Sequence, residues 1–103
     1  MQKCEIHLPL NYRDGKPIEQ EKIDRVREEL LAEFGSFAEP YRRTWRYDTQ
    51  QCVEIAKFEI ITTDDKFAKK RLKGLKERLK ECLPQVDILM TSQVVEAVWT
   101  QFK

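Results

Sequence analysis

The chain has 103 residues, 41% of them hydrophobic and 36% charged, with a formal net charge of +1 at pH 7. That length holds one domain around a single modest core, and that composition is too apolar for a disordered chain. The near-zero net charge excludes the whole-molecule field of dedicated nucleic-acid or membrane-surface proteins, so any electrostatic function must be local.

No stretch approaches the ~20 apolar residues that a spanning helix needs, and Met1 to Glu5 lacks a basic start followed by an apolar run. Neither a membrane span nor a signal peptide is expected. Cys4, Cys52 and Cys82 are odd in number and far apart, which argues against a disulfide framework and suits a reducing, cytoplasmic compartment. All three are expected as buried thiols.

Cys4 to Tyr12 alternates Cys4, Ile6, Leu8, Leu10 and Tyr12 with Glu5, His7, Pro9 and Asn11, the period-two pattern of a half-buried strand. Pro9 has no amide hydrogen and must sit where the ladder needs none. Arg13, Asp14 and Gly15 form a turn, and Pro17 suits a helix entrance. A helix is predicted from about Ile18 to Phe34, with Ile23, Val26, Leu30 and Phe34 as its apolar stripe and Gly35 as its stop.

Tyr41 to Tyr47 reads as a second strand with Tyr41, Arg43, Trp45 and Tyr47 on one face and Arg42, Thr44 and Arg46 on the other. Asp48 to Gln51 is a polar turn, and Cys52 to Thr62 is a third strand, paired with the second as a hairpin. The apolar phase of this strand is mixed, so it is either buried on both faces or bulged. Thr63, Asp64 and Asp65 offer caps for a second helix with a stripe of Ala68, Leu72, Leu75, Leu79 and Cys82 or Leu83, ended by Pro84. Asp87 to Met90 starts a last strand. Val94 to Trp99 extends it or forms a fifth after a break at Thr91 to Gln93.

Strand, helix, hairpin, helix, strand is the β-α-β-β-α-β order of the ferredoxin-like α+β fold, a two-layer sandwich with a four-stranded antiparallel sheet. Residues 1–103 are read as a single domain of this kind. Right-handed crossovers place the first and third strands in the centre and leave one sheet face open.

Candidate chemistry is sparse. Cys4 and His7 have a Cys-x-x-His spacing, but residues three apart on a strand point to opposite faces, so no metal site is expected. One histidine, isolated glycines and no nucleophile elbow or phosphate cradle leave no catalytic constellation, and no cofactor is expected. Asp48, Asp64 and Asp65 already have turn and cap roles. Arg42, Arg43 and Arg46, interleaved with Tyr41, Trp45 and Tyr47, have the residue types of a single-strand binding surface. They equally suit an edge strand whose cations deter pairing. The second helix is basic, from Lys66 through Lys69, Lys70, Arg71, Lys73, Lys76 and Arg78 to Lys80, whereas the first is net acidic, so the two can complement each other within one molecule or across a dimer.

The third strand, Cys52 to Phe58, does not match the aromatic signature of RNA-recognition motifs. Glu5-Ile6-His7-Leu8-Pro9-Leu10, Asp14-Gly15, Pro17, Glu33-Phe34-Gly35 and Trp45 together resemble a family of uncharacterised small bacterial proteins. The resemblance covers about the first half of the chain. It implies a ferredoxin-like fold and a bacterial cytoplasmic origin, and it implies no reaction.

The leading expectation is a non-enzymatic binding or assembly module, homodimeric through the open sheet face, with Trp45, Tyr47 and Trp99 as its contact residues. The alternative is a single-stranded RNA or DNA binder using Arg42, Arg43, Arg46, Trp45, Lys69 and Lys73.

Overall fold

The computed structural model describes residues 1–48, 51–63 and 65–96, apart from the side chains of residues 40–42, 48 and 51. The elements are β1 (Gln2–Pro9), α1 (Gln20–Phe34), β2 (Ala38–Asp48), β3 (Gln51–Thr62), α2 (Lys66–Cys82) and β4 (Leu89–Val94). They form one antiparallel sheet in the order β2-β3-β1-β4. The fold is ferredoxin-like, with the first and third strands central as right-handed crossovers require.

The core lies between helices and sheet because the periodicities agree. β1 contributes Cys4, Ile6 and Leu8, α1 contributes Ile23, Val26 and Leu30, β3 contributes Ala56, Phe58 and Ile60, and α2 contributes Leu75 and Leu79. Ala68 is buried beside them. Phe58 is the largest fully buried side chain. Its ring meets Phe37 edge-on at 5.5 Å between centroids, and the Arg27 guanidinium lies 5.7 Å from its centre.

Pro9 is tolerated in a central strand for a geometric reason. The Leu10 amide donates to the Glu54 carbonyl on β3, so the amide position of Pro9 faces the other side, where pairing with β4 has already ended at His7 and Leu89.

Several boundaries differ from expectation. α1 starts at Gln20, not Ile18. Asn11 bridges Pro17, the Ile18 amide donates to the Leu10 carbonyl, and the Tyr12 amide donates to the Lys16 carbonyl, so Pro17 closes a small turn instead of entering the helix. Gly35 does end α1, left-handed at φ 76, with its amide on the Leu31 carbonyl. Asp65 caps α2 by accepting from the Ala68 amide at 2.7 Å. The candidate cap Asp64 lies outside the described residues.

β4 runs unbroken through Thr91 to Gln93, paired with Glu5, Cys4 and Lys3, so of the two readings Val94 extends the strand without a break; residues 97–99 lie outside the described residues. β3 keeps continuous register with β1, while the irregularities fall on β2, between Ala38 and Tyr41 and between Tyr41 and Thr44. The mixed phase of β3 is therefore burial on both faces, with Ile55 only 2% exposed opposite Pro9 and Thr44. Cys4 is buried, Cys82 half-buried and Cys52 exposed, so only Cys4 fits the expected buried thiol. Burial pushes the Cys4 thiol pKa up.

The helices complement each other within the chain. Glu33 accepts from Arg71 Nε at 3.0 Å and from Arg78 Nη2 at 2.9 Å, and Arg78 Nε also reaches Glu29 at 2.9 Å. The hydrogen bond from Arg71, joined by that from Arg78, holds the Glu33 carboxyl below the ordinary glutamate value. A depressed carboxylate contributes stability above its unfolded pKa and loses it as pH falls through the folded value. Glu33→Gln is expected to cost on the order of 1 kcal/mol at neutral pH. In melts of the two proteins the difference should shrink as pH falls below the ordinary glutamate range. A pH-independent difference would mean that the ion pairs do not carry it.

Candidate functional site

Three surfaces could meet a partner. The first is a projecting ribbon. β1 pairs with Ile55–Thr62 of β3, so among the described residues the segment from Gln51 to Val53 pairs only with β2, through Val53–Arg46, Cys52–Tyr47 and Gln51–Asp48. Three residues carry the ribbon roughly 10 Å past the end of the β1 ladder.

Tyr47 stands on this ribbon and Trp45 at its root, 83% and 64% exposed. Trp45 pairs with Glu54 and Tyr47 with Cys52. These partners share the alternation phase of Ala56 and Phe58, so both rings lie on the helix-side face of the sheet, beyond the helices. The expectation that they occupy the open sheet face is thereby corrected. The register shift between Tyr41 and Thr44 resets the phase, and a period-two pattern read through it carries the wrong face. Trp99, the third expected contact residue, lies outside the described residues.

At the root of the ribbon is an open cleft of about 590 Å³, bordered by Trp45, Cys52 and Glu54 and by Tyr12, Arg13 and Asp87 from the loops. Arg43 Nε reaches Glu54 at 3.0 Å and Arg13 reaches Asp87 at 3.3 Å. The cleft thus has one large exposed ring and two lining arginines, Arg13, met by Asp87, and Arg46, while its lining carboxylate Glu54 is met by Arg43 from outside. Arg46 pairs across to Val53 on the opposite, open face, and the Arg42 side chain lies outside the described residues.

The second surface is the centre of the open face, which is an ionic lattice. Lys3 lies 3.7 Å from Glu5 and 3.3 Å from Glu59, and Lys57 lies 3.4 Å and 3.8 Å from the same two carboxylates. Two lysines and two glutamates neutralise each other, with side chains 22–27% exposed. Such a quartet offers little to an apolar partner and no net charge to an ionic one.

His7 borders the quartet, its Nε2 3.4 Å from Glu5 Oε2, an ion-pair distance without a made hydrogen bond. Cys4 points into the core on the other side of β1, as residues three apart on a strand must. Burial pushes the His7 pKa below its ordinary 6.5; Glu5 pulls it up, while Arg46 and Lys57 push it down. With the folded value below the unfolded one, the unfolded chain binds the extra proton first, so stability falls as pH drops from 6.5 toward the folded value. His7→Gln should flatten that acid-side slope in denaturant titrations from neutral to mildly acid pH. An unchanged slope would assign it to the carboxylates.

The third surface is the exposed side of α2. Arg71 and Arg78 are engaged by α1, whereas Lys66, Lys69, Lys73, Lys76 and Lys80 recur at alternating spacings of three and four and are all exposed. The two halves of the nucleic-acid surface expected from the sequence are therefore apart. Arg43 and Trp45 belong to the β2 edge, while Lys73 lines a groove beside β4 at the opposite edge.

No protein-family model matches the chain, and no curated protein matches it. Solved structures do. The de novo designed protein Foldit4 is 14% identical, with 92% of this chain and 98% of that one covered at a TM-score of 0.52. A phage SAM lyase in complex with S-methyl-5'-thioadenosine is 19% identical, with 89% and 79% covered at a TM-score of 0.53. A de novo designed protein with ferredoxin fold, LFR1 1, is 21% identical, with 99% and 93% covered at a TM-score of 0.44. At these identities the first two likenesses describe the fold alone.

Proposed function

We propose that the protein is a non-enzymatic assembly module that forms a homodimer through the β2–β3 ribbon. The observation that carries this is the exposed Trp45–Tyr47 pair on a two-stranded extension. An isolated two-stranded ribbon is marginally stable in water, and large rings there gain by being covered. A second copy meets both needs at once, since a two-fold axis brings the same patch onto itself.

The neutral quartet Lys3, Glu5, Lys57 and Glu59 favours the ribbon over the centre of the open face as the contact. The engagement of Arg43 by Glu54, and the placement of the lysines at the far edge, favour assembly over single-strand RNA or DNA binding. A bacterial cytoplasmic setting is part of the same reading, supported by the resemblance of Glu5 to Leu10 and by three unpaired thiols, one of them exposed at Cys52.

Light scattering on a sizing column tests the proposal. A mass of two chains, unchanged by a single-stranded oligonucleotide at low salt, is the expected result. A monomer at every accessible concentration would overturn it, and a monomer co-eluting with the oligonucleotide would restore the nucleic-acid reading.

A further inference from the structure

The edge of the sheet opposite the ribbon is formed by β4. Between α2 and β4 runs a groove made of two clefts, about 320 Å³ and 450 Å³, which share Lys76, Ile88 and Met90. Lys73, Lys76 and Lys80 form its helical wall, one above the other at spacings of three and four. Leu72 and Leu79 of α2 and Ile88 and Met90 from the strand side supply an apolar floor. Among the described residues β4 pairs only with β1, which leaves its outer backbone edge, beside this groove, without a strand partner there.

We infer that this groove holds an acidic, extended segment of a partner protein, laid along β4 with carboxylates on Lys73, Lys76 and Lys80 and apolar side chains on the floor. Charge complementarity selects the occupant. Among the described residues the lining includes one acid, Asp87, at one end and already met by Arg13. The arginines of α2 are engaged by Glu29 and Glu33, and the exposed acids of α2, Glu77 and Glu81, are not among the groove's lining residues, so Lys73, Lys76 and Lys80 set the charge of its helical wall. An edge strand bound by main-chain hydrogen bonds and read by alternate side chains is an established mode of peptide capture. A nucleic-acid strand fits less well, because among the described residues neither cleft is lined by an aromatic ring on which a base could stack. The inference does not rest on the ribbon dimer, since it concerns the other edge of the sheet.

The probe is a fluorescein-labelled, end-blocked peptide of alternating glutamate and valine, titrated with the full chain at low salt and followed by anisotropy. Binding is expected to weaken about tenfold or more in the Lys73→Glu/Lys76→Glu double variant, and similarly when the peptide carries glutamine for glutamate. Both lysines are exposed, so the variant should keep its melting temperature and solution mass, which separates loss of binding from loss of fold. Equal affinity for wild type and the double variant, or no binding of the peptide, would overturn the inference. So would capture of labelled oligothymidylate in its place, abolished by the same charge reversals, which would make the groove a nucleic-acid site.

Discussion

Phe58→Ala is expected to cost on the order of 3–5 kcal/mol, a large part of the about 5–15 kcal/mol that holds a domain of this size together. Phe58 sits at 0% exposure in the middle of β3, where side chains from both central strands and both helices converge. Removing the ring deletes its buried area, leaves a cavity and takes away the edge-on contact with Phe37. It also strips the face over which Arg27 lies, although Arg27 keeps its two bonds to Glu39 at 3.0 and 3.2 Å. Urea unfolding should show the midpoint falling sharply with an unchanged slope. A loss below about 1 kcal/mol would mean that the layers collapse onto the vacated space and that the core is not closed around this ring.

Trp45→Ala is expected to act on association and hardly on the fold. An aromatic anchor at the centre of an interface commonly contributes 2 kcal/mol or more, so the dimer dissociation constant should rise about 30-fold or more. Because Trp45 is 64% exposed within one chain, the monomer loses little packing by the change. Tyr47→Ala should weaken the dimer in the same direction. Sedimentation equilibrium over a dilution series reads the constant directly. Unchanged association of the Trp45 variant would move the interface elsewhere, and a fall in monomer stability comparable to that of Phe58→Ala would mean that the indole is structural.

Much of the architecture was legible in the residues because each helix has one apolar stripe and the central strand β1 a clear alternation. Ile23, Val26 and Leu30 face inward as their spacing requires, and so do Ala68, Leu75 and Leu79. Asp65 was legible as a cap, and Gly35 as a stop. Strand phase on β2 was not. A period-two pattern sets which residues share a face only while the register is continuous, and the irregularities between Ala38 and Thr44 arise from pairing with β3, a property of two strands together. The mixed phase of β3 left burial on both faces and a bulge open as alternatives, and Ile55, buried on the face that carries the ionic quartet, decides for the first. Pro17 misled because a proline suits a helix entrance and a tight turn equally.

For the candidate site, the residue types were legible and their grouping was not. Trp45 and Tyr47 do stand together. Arg43 and Lys73, read from sequence as parts of one basic surface, belong to opposite edges, which only the strand order β2-β3-β1-β4 decides. The engagement of Arg71 and Arg78 by α1 separates them from the outward lysines in a way that charge counting along α2 could not reveal.

The most direct test of self-association through the ribbon is amide hydrogen exchange, followed segment by segment at two protein concentrations. In the dimer, amides from Trp45 to Tyr47 and at Cys52 and Val53 should be protected at high concentration and lose that protection on dilution. Those from Ala56 to Ile60, in the core of the sheet, should exchange at the same slow rate in both. Ribbon amides that exchange equally fast at both concentrations would contradict an interface built on Trp45 and Tyr47.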